Sequence, residues 1–172
     1  GHSDVVRRLA YAPDGRRLVT ASHDRTARLW DARTGQALAV LRGHGDWLRG
    51  ASFSPDGSQV LTVSYDRTAR LWDAGTGQAL AVLRGHEGAL EVGAYSGDGA
   101  RILTAGDDGT ARLWDARTGG ALGVLRHRSA VRTAAFSPDG ALVVTGGTDG
   151  VARLWGGRSL TLVATLAGHG NA

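Results

Sequence analysis

Apolar residues come in short runs along this chain, separated by clusters of Gly, Asp, Pro, Ser and Thr. The stretch from Gly43 to Arg84 shows the rule. Leu48-Arg-Gly-Ala-Ser-Phe53 is short and ends in an aromatic residue, as a buried strand does. Ser54-Pro-Asp-Gly57 breaks it: the proline presets φ, the aspartate bonds the backbone and the glycine supplies a positive φ. Gln59–Ser64, rich in β-branched residues, predicts a second strand. A tight turn at Tyr65-Asp-Arg67 leads to a third, Thr68–Trp72, and the turn cluster Asp73–Gly77 to a fourth, Ala79–Leu83. No segment carries a sustained helical period, and turns recur every eight to twelve residues or so, which predicts an all-β chain. Four short antiparallel strands form a small sheet that must bury both faces, so it has to stack on a neighbour.

The unit repeats. Leu-Trp dipeptides place Trp30, Trp72, Trp114 and Trp155 at spacings of 42, 42 and 41, and His2, His44, His86, His127 and His169 keep the same rhythm. Asp24–Ala32 is identical to Asp66–Ala74, Gly35–His44 to Gly77–His86, and residues 1–42 match 43–84 at 27 of 42 positions. A fixed period of this length marks a repeat architecture. Gly-His, the Ser-Pro-Asp-Gly turn, Thr-x-x-x-Asp and Leu-Trp-Asp, in this order, resemble the WD-repeat β-propeller family across the whole chain. The resemblance implies a propeller of four-stranded antiparallel blades, four per chain, with strands running from the innermost to the outermost. The blades are expected at about residues 1–42, 43–84, 85–125 and 126–172 of one propeller or half-propeller domain.

The same resemblance implies a buried hydrogen-bond tetrad in each blade: His2, Thr20, Asp24 and Trp30; His44, Thr62, Asp66 and Trp72; His86, Thr104, Asp108 and Trp114; His127, Thr145, Asp149 and Trp155. A hydroxyl, an imidazole and a carboxylate have the composition of a catalytic triad. Near-identical buried copies in every blade do not supply one exposed nucleophile in one pocket, so the tetrads are read as structural and the chain as no enzyme. The repeat histidines occupy equivalent points of successive blades and should not converge on one metal ion. Asp107-Asp-Gly109 lacks the spacing of a calcium loop. No metal or other cofactor is expected.

Composition narrows the picture further. The chain has 172 residues, 42% of them apolar and 21% charged, an ordinary balance for a soluble domain. It has no cysteine, which excludes disulfides and thiolate metal sites. No apolar run approaches a membrane span, and the repeat starts at the first residues, so neither anchor nor signal peptide is expected and the chain is read as cytoplasmic. The absent initiator Met suggests a processed or excised chain. All twenty basic residues are arginine and the net charge is +4. No run of basic residues interleaved with aromatics stands out, so nucleic acid is not the expected partner.

Since the scaffold is copied, function should lie where the repeats differ. In the resembled family the usual ligand-binding face is the one formed by the Gly-His turns and the turns before each repeat aspartate. The matching positions are Val5, Trp47, Ala89 and Ala130; Arg7, Arg49, Glu91 and Arg132; and His23, Tyr65, Asp107 and Thr148. Trp47 is the one tryptophan outside the repeat phase. With Arg49 and Tyr65 it has the composition of a binding hot spot; the alternative is that it packs over a neighbouring blade. The expected function is a non-catalytic protein-interaction scaffold taking an acidic peptide or loop. The resembled family also includes bacterial proteins that use such arrays as sensor parts. A purely structural array excised from a longer propeller and a polyanion-binding module are the alternatives. Four blades closing alone would each turn about 90°, whereas two copies would need about 45° per blade, which predicts a homodimeric ring of eight. The fourth repeat departs most: Leu125-Arg-His127 lacks the turn glycine, Gly156-Gly157 replaces Asp-Ala, and an apolar outer strand is expected over Leu160–Leu166.

Overall fold

The computed structural model describes residues 1–167, so His169 lies outside the described residues. Blade 1 comprises β1 (Val6–Tyr11), β2 (Arg17–Ser22), β3 (Thr26–Asp31) and β4 (Ala37–Arg42). Blade 2 comprises β5 (Leu48–Phe53), β6 (Gln59–Ser64), β7 (Ala69–Asp73) and β8 (Ala79–Leu83). Blade 3 follows with β9 (Leu90–Tyr95), β10 (Arg101–Gly106), β11 (Thr110–Asp115) and β12 (Ala121–Arg126). Blade 4 has β13 (Val131–Phe136), β14 (Leu142–Gly147), β15 (Ala152–Gly156) and β16 (Leu162–Leu166). Each blade is a four-stranded antiparallel meander in chain order. No helix among the described residues is long and apolar enough to cross a membrane.

The turn chemistry sets these boundaries. Gly57 adopts φ +71° after Pro55 and Asp56, and the Asp56 carboxylate accepts from the Ser54 and Ser58 hydroxyls, closing the hairpin between β5 and β6. Each sheet then buries its two faces against its neighbours. Three apolar clusters fill the junctions between blades 1 and 2, 2 and 3, and 3 and 4.

The two ends of this row are uncovered. Leu41, Leu83 and Leu125 are each 1% exposed because the next blade covers them, whereas Leu166, at the same repeat position, is 49% exposed. Val144 is exposed where Val19, Leu61 and Leu103 are buried. At the other end Tyr11 is 62% exposed, while its counterpart Phe53 is 9% exposed against blade 1. The outer strand of blade 4 differs from the sequence expectation. It starts at Leu162, because Leu160 sits in the preceding turn with φ +58° and packs on blade 3 instead.

Candidate functional site

The side chains with chemical potential fall into two groups, one inside the blades and one along their inner rim. Inside blade 2, the Thr62 hydroxyl sits 2.8 Å from His44 Nε2 and 2.8 Å from Trp72 Nε1, and His44 Nδ1 lies 2.7 Å from Asp66 Oδ2. Proton counting fixes the direction. The indole N–H only donates, so Thr62 Oγ1 accepts from Trp72 and gives its own hydrogen to His44 Nε2, and His44 Nδ1–H donates to Asp66. Asp66 also accepts from the Gly45 N–H at 2.9 Å and from the N–H and hydroxyl of Thr68 at 2.9 and 2.7 Å. Blades 1 and 3 repeat the pattern through His2, Thr20, Asp24 and Trp30 and through His86, Thr104, Asp108 and Trp114. Burial alone would raise the Asp66 carboxyl. The hydrogen bonds from His44, Thr68 and Gly45 outweigh it and hold the group below the ordinary carboxylate range. Thr62 is fully buried and its oxygen is doubly engaged.

In blade 4 the expected set does not close. His127 and Trp155 meet the Thr145 hydroxyl at 2.6 and 2.8 Å, but Asp149 does not reach His127. Arg153 stands between them, donating to His127 Nδ1 at 2.6 Å and to Asp149 Oδ2 at 2.8 Å. The cause is local. In blades 2 and 3 a glycine precedes the histidine, and a Cβ there would lie 2.6 Å from Arg70 (Gly43) or 2.7 Å from Arg112 (Gly85). Arg126 takes that glycine's place before His127, so the slot that holds the arginine side chain in blades 2 and 3 is lost. Val151 also replaces the hydroxyl residue Thr68, which leaves Asp149 less well held. Because a guanidinium cannot accept, His127 Nδ1 must, so Nε2–H donates to Thr145 and the Thr145 hydroxyl turns toward the Arg153 carbonyl, 3.4 Å away. The chain of donors runs in the reverse sense. Burial, then the Arg153 charge, push the His127 pKa down.

The rim is built by a backbone device. In every blade the innermost strand carries an irregularity that skips one residue of the ladder: Arg7, Arg49, Glu91 and Arg132. A bulge adds an unpaired residue and re-aims its side chain. Together with Arg8, these four residues line one cleft. Arg49 Nε and Nη2 reach Glu91 Oε2 at 2.8 and 2.6 Å, and Arg132 Nη1 reaches Glu91 Oε1 at 2.7 Å. Tyr65 donates to Oε1 at 3.2 Å, and Arg132 also contacts Asp107 at 2.7 Å. The Glu91 side chain is only 4% exposed, so its charge is compensated by two arginines out of bulk water. No salt bridge reaches Arg7 among the described residues.

Trp47 lies beside this network. Its ring stacks on His23 of blade 1 at 4.4 Å and 7°, and stands 6.2 Å from Tyr65, over which the Arg49 guanidinium sits at 5.8 Å. It is still 44% exposed. Trp47 thus packs over a neighbouring blade with one face and meets solvent with the rest. The Arg49 fork is not open, because Glu91 of the next blade holds it. That pairing joins residues 42 apart, and the available signal was the single opposite charge in the row Arg7, Arg49, Glu91, Arg132.

Bulged four-stranded blades stacked around an inner rim and locked by His–Thr–Trp networks define a propeller repeat protein. The family model described as "WD domain, G-beta repeat" matches residues 1–31, 35–73, 77–115 and 119–156, and the chain belongs to this family. Similar curated proteins include a Denticleless protein homolog of Gallus gallus, 48% identical over 42 residues, covering 24% of this chain and 6% of that protein. A Notchless protein homolog of Arabidopsis thaliana is 42% identical over 43 residues, 25% of this chain and 9% of the relative. WD repeat-containing protein 86 of Homo sapiens is 48% identical over 42 residues, 24% and 11% respectively. Each match spans about one repeat, and the chain covers only a small part of these relatives.

Proposed function

We propose that this chain is a non-catalytic protein-interaction scaffold whose rim takes an acidic peptide or loop, and whose ring of eight blades is completed by a second copy. The tetrads are at least partly buried and their threonine oxygens are engaged, so they serve stability. The observation that carries the rim reading is the half-exposed Trp47, stacked on His23 next to the cleft of arginines, a cluster that no other repeat copies. Trp47 is held flat by its stack, so little side-chain entropy remains to be lost on contact with a ligand. Arg7 and Arg8 offer charge, and Glu91 occupies the place on Arg49 and Arg132 that a ligand carboxylate would take. The apolar side chains on the outer faces of blades 1 and 4, among them Leu9, Tyr11, Val144 and Leu166, support the pairing of copies, because a second copy would take them out of water.

Titration calorimetry with synthetic Asp/Glu-rich peptides tests the rim. Trp47→Ala should weaken binding by about 2 kcal/mol. Glu91→Gln should strengthen it, since Arg49 loses its carboxylate partner and Arg132 keeps only Asp107. Equal affinity of wild type and Trp47→Ala, or weaker binding by Glu91→Gln, would remove the rim from the reading. A steep salt dependence with DNA in place of peptide would favour polyanion binding instead.

A further inference from the structure

The blades are near-copies, yet two rows of residues, taken together, give each junction a different combination of sizes. At the outer edge, the turn before the last strand of one blade meets the outer strand of the blade before it. A Cβ on Gly77 would come 2.7 Å from the Ala39 Cβ, and one on Gly119 would come 3.2 Å from that of Ala81. At the third junction the sizes are exchanged. Leu160 stands where Gly77 and Gly119 stand, Gly123 where Ala39 and Ala81 stand, and a Cβ on Gly123 would collide with Leu160 Cδ1. Leu160 accepts the turn's positive φ, so this exchange is bought with backbone strain. Near the inner edge a second row behaves alike: Ala21 faces Ala51, Val63 faces Gly93 and Ala105 faces Ala134. A Cβ on Gly93 would lie 2.5 Å from Val63, so this row too has room for only one bulky partner.

The two uncovered ends hold the remaining halves of both rows. Blade 4 presents Ala164 and Gly146; blade 1 presents Gly35, with nothing within 4 Å of an added Cβ, and Leu9, 65% exposed. Ala164 with Gly35 is the pairing of the first two junctions. Leu9 with Gly146 is a large residue against the smallest of its row, with Thr133 taking part of the space. Leu160, by contrast, fits only opposite a glycine, which Ala164 is not.

We infer that the open face of blade 4 is shaped to receive blade 1 of a second copy of this chain and to exclude a further blade 4. In a chain whose first two repeats match at 27 of 42 positions, such size exchange is what keeps a blade from docking in the wrong register. The inference rests on the proposed ring of two copies, and specifies which faces meet. Its test is the solution mass by light scattering, with circular dichroism to confirm folded strands. Wild type should weigh about 36 kDa, twice the 17.8 kDa chain. Gly35→Leu and Ala164→Leu should each fall to the single-chain mass, the second without any demand on a positive φ. Combining Gly35→Leu with Ala164→Gly should restore the dimer, as Leu160 and Gly123 do at the third junction. A monomeric wild type overturns the ring reading itself. A dimeric wild type whose two Leu variants also remain dimeric, or whose double variant fails to recover, overturns the assignment of faces and leaves the ring reading standing.

Discussion

The smallest unit that decides behaviour here is a proton on a ring nitrogen. In blades 1 to 3 an aspartate accepts from His Nδ1, whereas in blade 4 Arg153 donates to it. Two acid windows follow. His86 is held below its ordinary 6.5, first by burial, and His127 likewise by burial and then by Arg153. A base with a depressed folded pKa binds protons more readily when unfolded, so the stability these neutral rings contribute falls as pH drops below 6.5. Asp66 has the opposite chemistry. Its folded pKa lies below 3.8, so its contribution is complete above that value and is lost as pH falls from 3.8 toward the folded pKa. Denaturation midpoints across pH should therefore decline in two separate steps. Asp66→Ala should remove one share of the lower step, which Asp24 and Asp108 also carry, and cost roughly 1–3 kcal/mol at neutral pH, since His44 Nδ1–H then lacks its carboxylate acceptor. An Asp66→Ala protein with wild-type stability at pH 7 would refute the structural role of the tetrad.

At the scale of strands and turns, much was legible because each turn carries its own backbone requirement. Ser54-Pro-Asp-Gly57 and Asp73–Gly77 delimit β6 and β7 on sequence grounds, and β5 and β8 lie where the apolar runs predict. What escaped detection was anything set by a neighbour. A bulge at Arg49 adds a residue without breaking the apolar run, so the strand reads the same with or without it. The pairing of Arg49 and Arg132 through Glu91 joins three blades and has no local signature. Leu160 reads as strand because it is apolar, and only the glycine opposite, Gly123, explains why it occupies a turn. That last pair makes a prediction at this scale. Gly123→Ala should destabilise the chain by about 1–3 kcal/mol through overpacking against Leu160. Leu160→Gly alone leaves a void, while the double variant rebuilds the Ala–Gly contact of the first two junctions. Urea melts should show a favourable coupling of about 0.5–3 kcal/mol between the two changes. Strict additivity would mean that the two side chains do not share one space.

Across the whole molecule the four blades form a series whose junctions can be compared side by side, and one row is left unmatched. At the edge opposite the rim, Arg17 of blade 1 reaches carbonyls of blade 2 at 2.7 and 3.0 Å and lies over Phe53, and Arg101 of blade 3 does the same for blade 4 and Phe136. Between them Gln59 accepts from the Tyr95 hydroxyl at 3.2 Å. An arginine therefore faces a phenylalanine, and a glutamine a tyrosine. Leu142 of blade 4 stands in this row with no hydrogen-bonding atom in its side chain, while the aromatic on the open face of blade 1 is Tyr11. If the two faces meet, the Tyr11 hydroxyl lacks the partner that Tyr95 has. Leu142→Gln should supply it at both junctions of a two-fold dimer. At about 1 kcal/mol for each new hydrogen bond, two junctions give about 2 kcal/mol, roughly thirtyfold in the dimer dissociation constant. Sedimentation equilibrium over a dilution series would measure the change. Adding Tyr11→Phe should abolish the gain, because the accepting amide would again have nothing to receive. A Leu142→Gln protein that dissociates more readily than wild type would show that blade 4 meets something other than Tyr11.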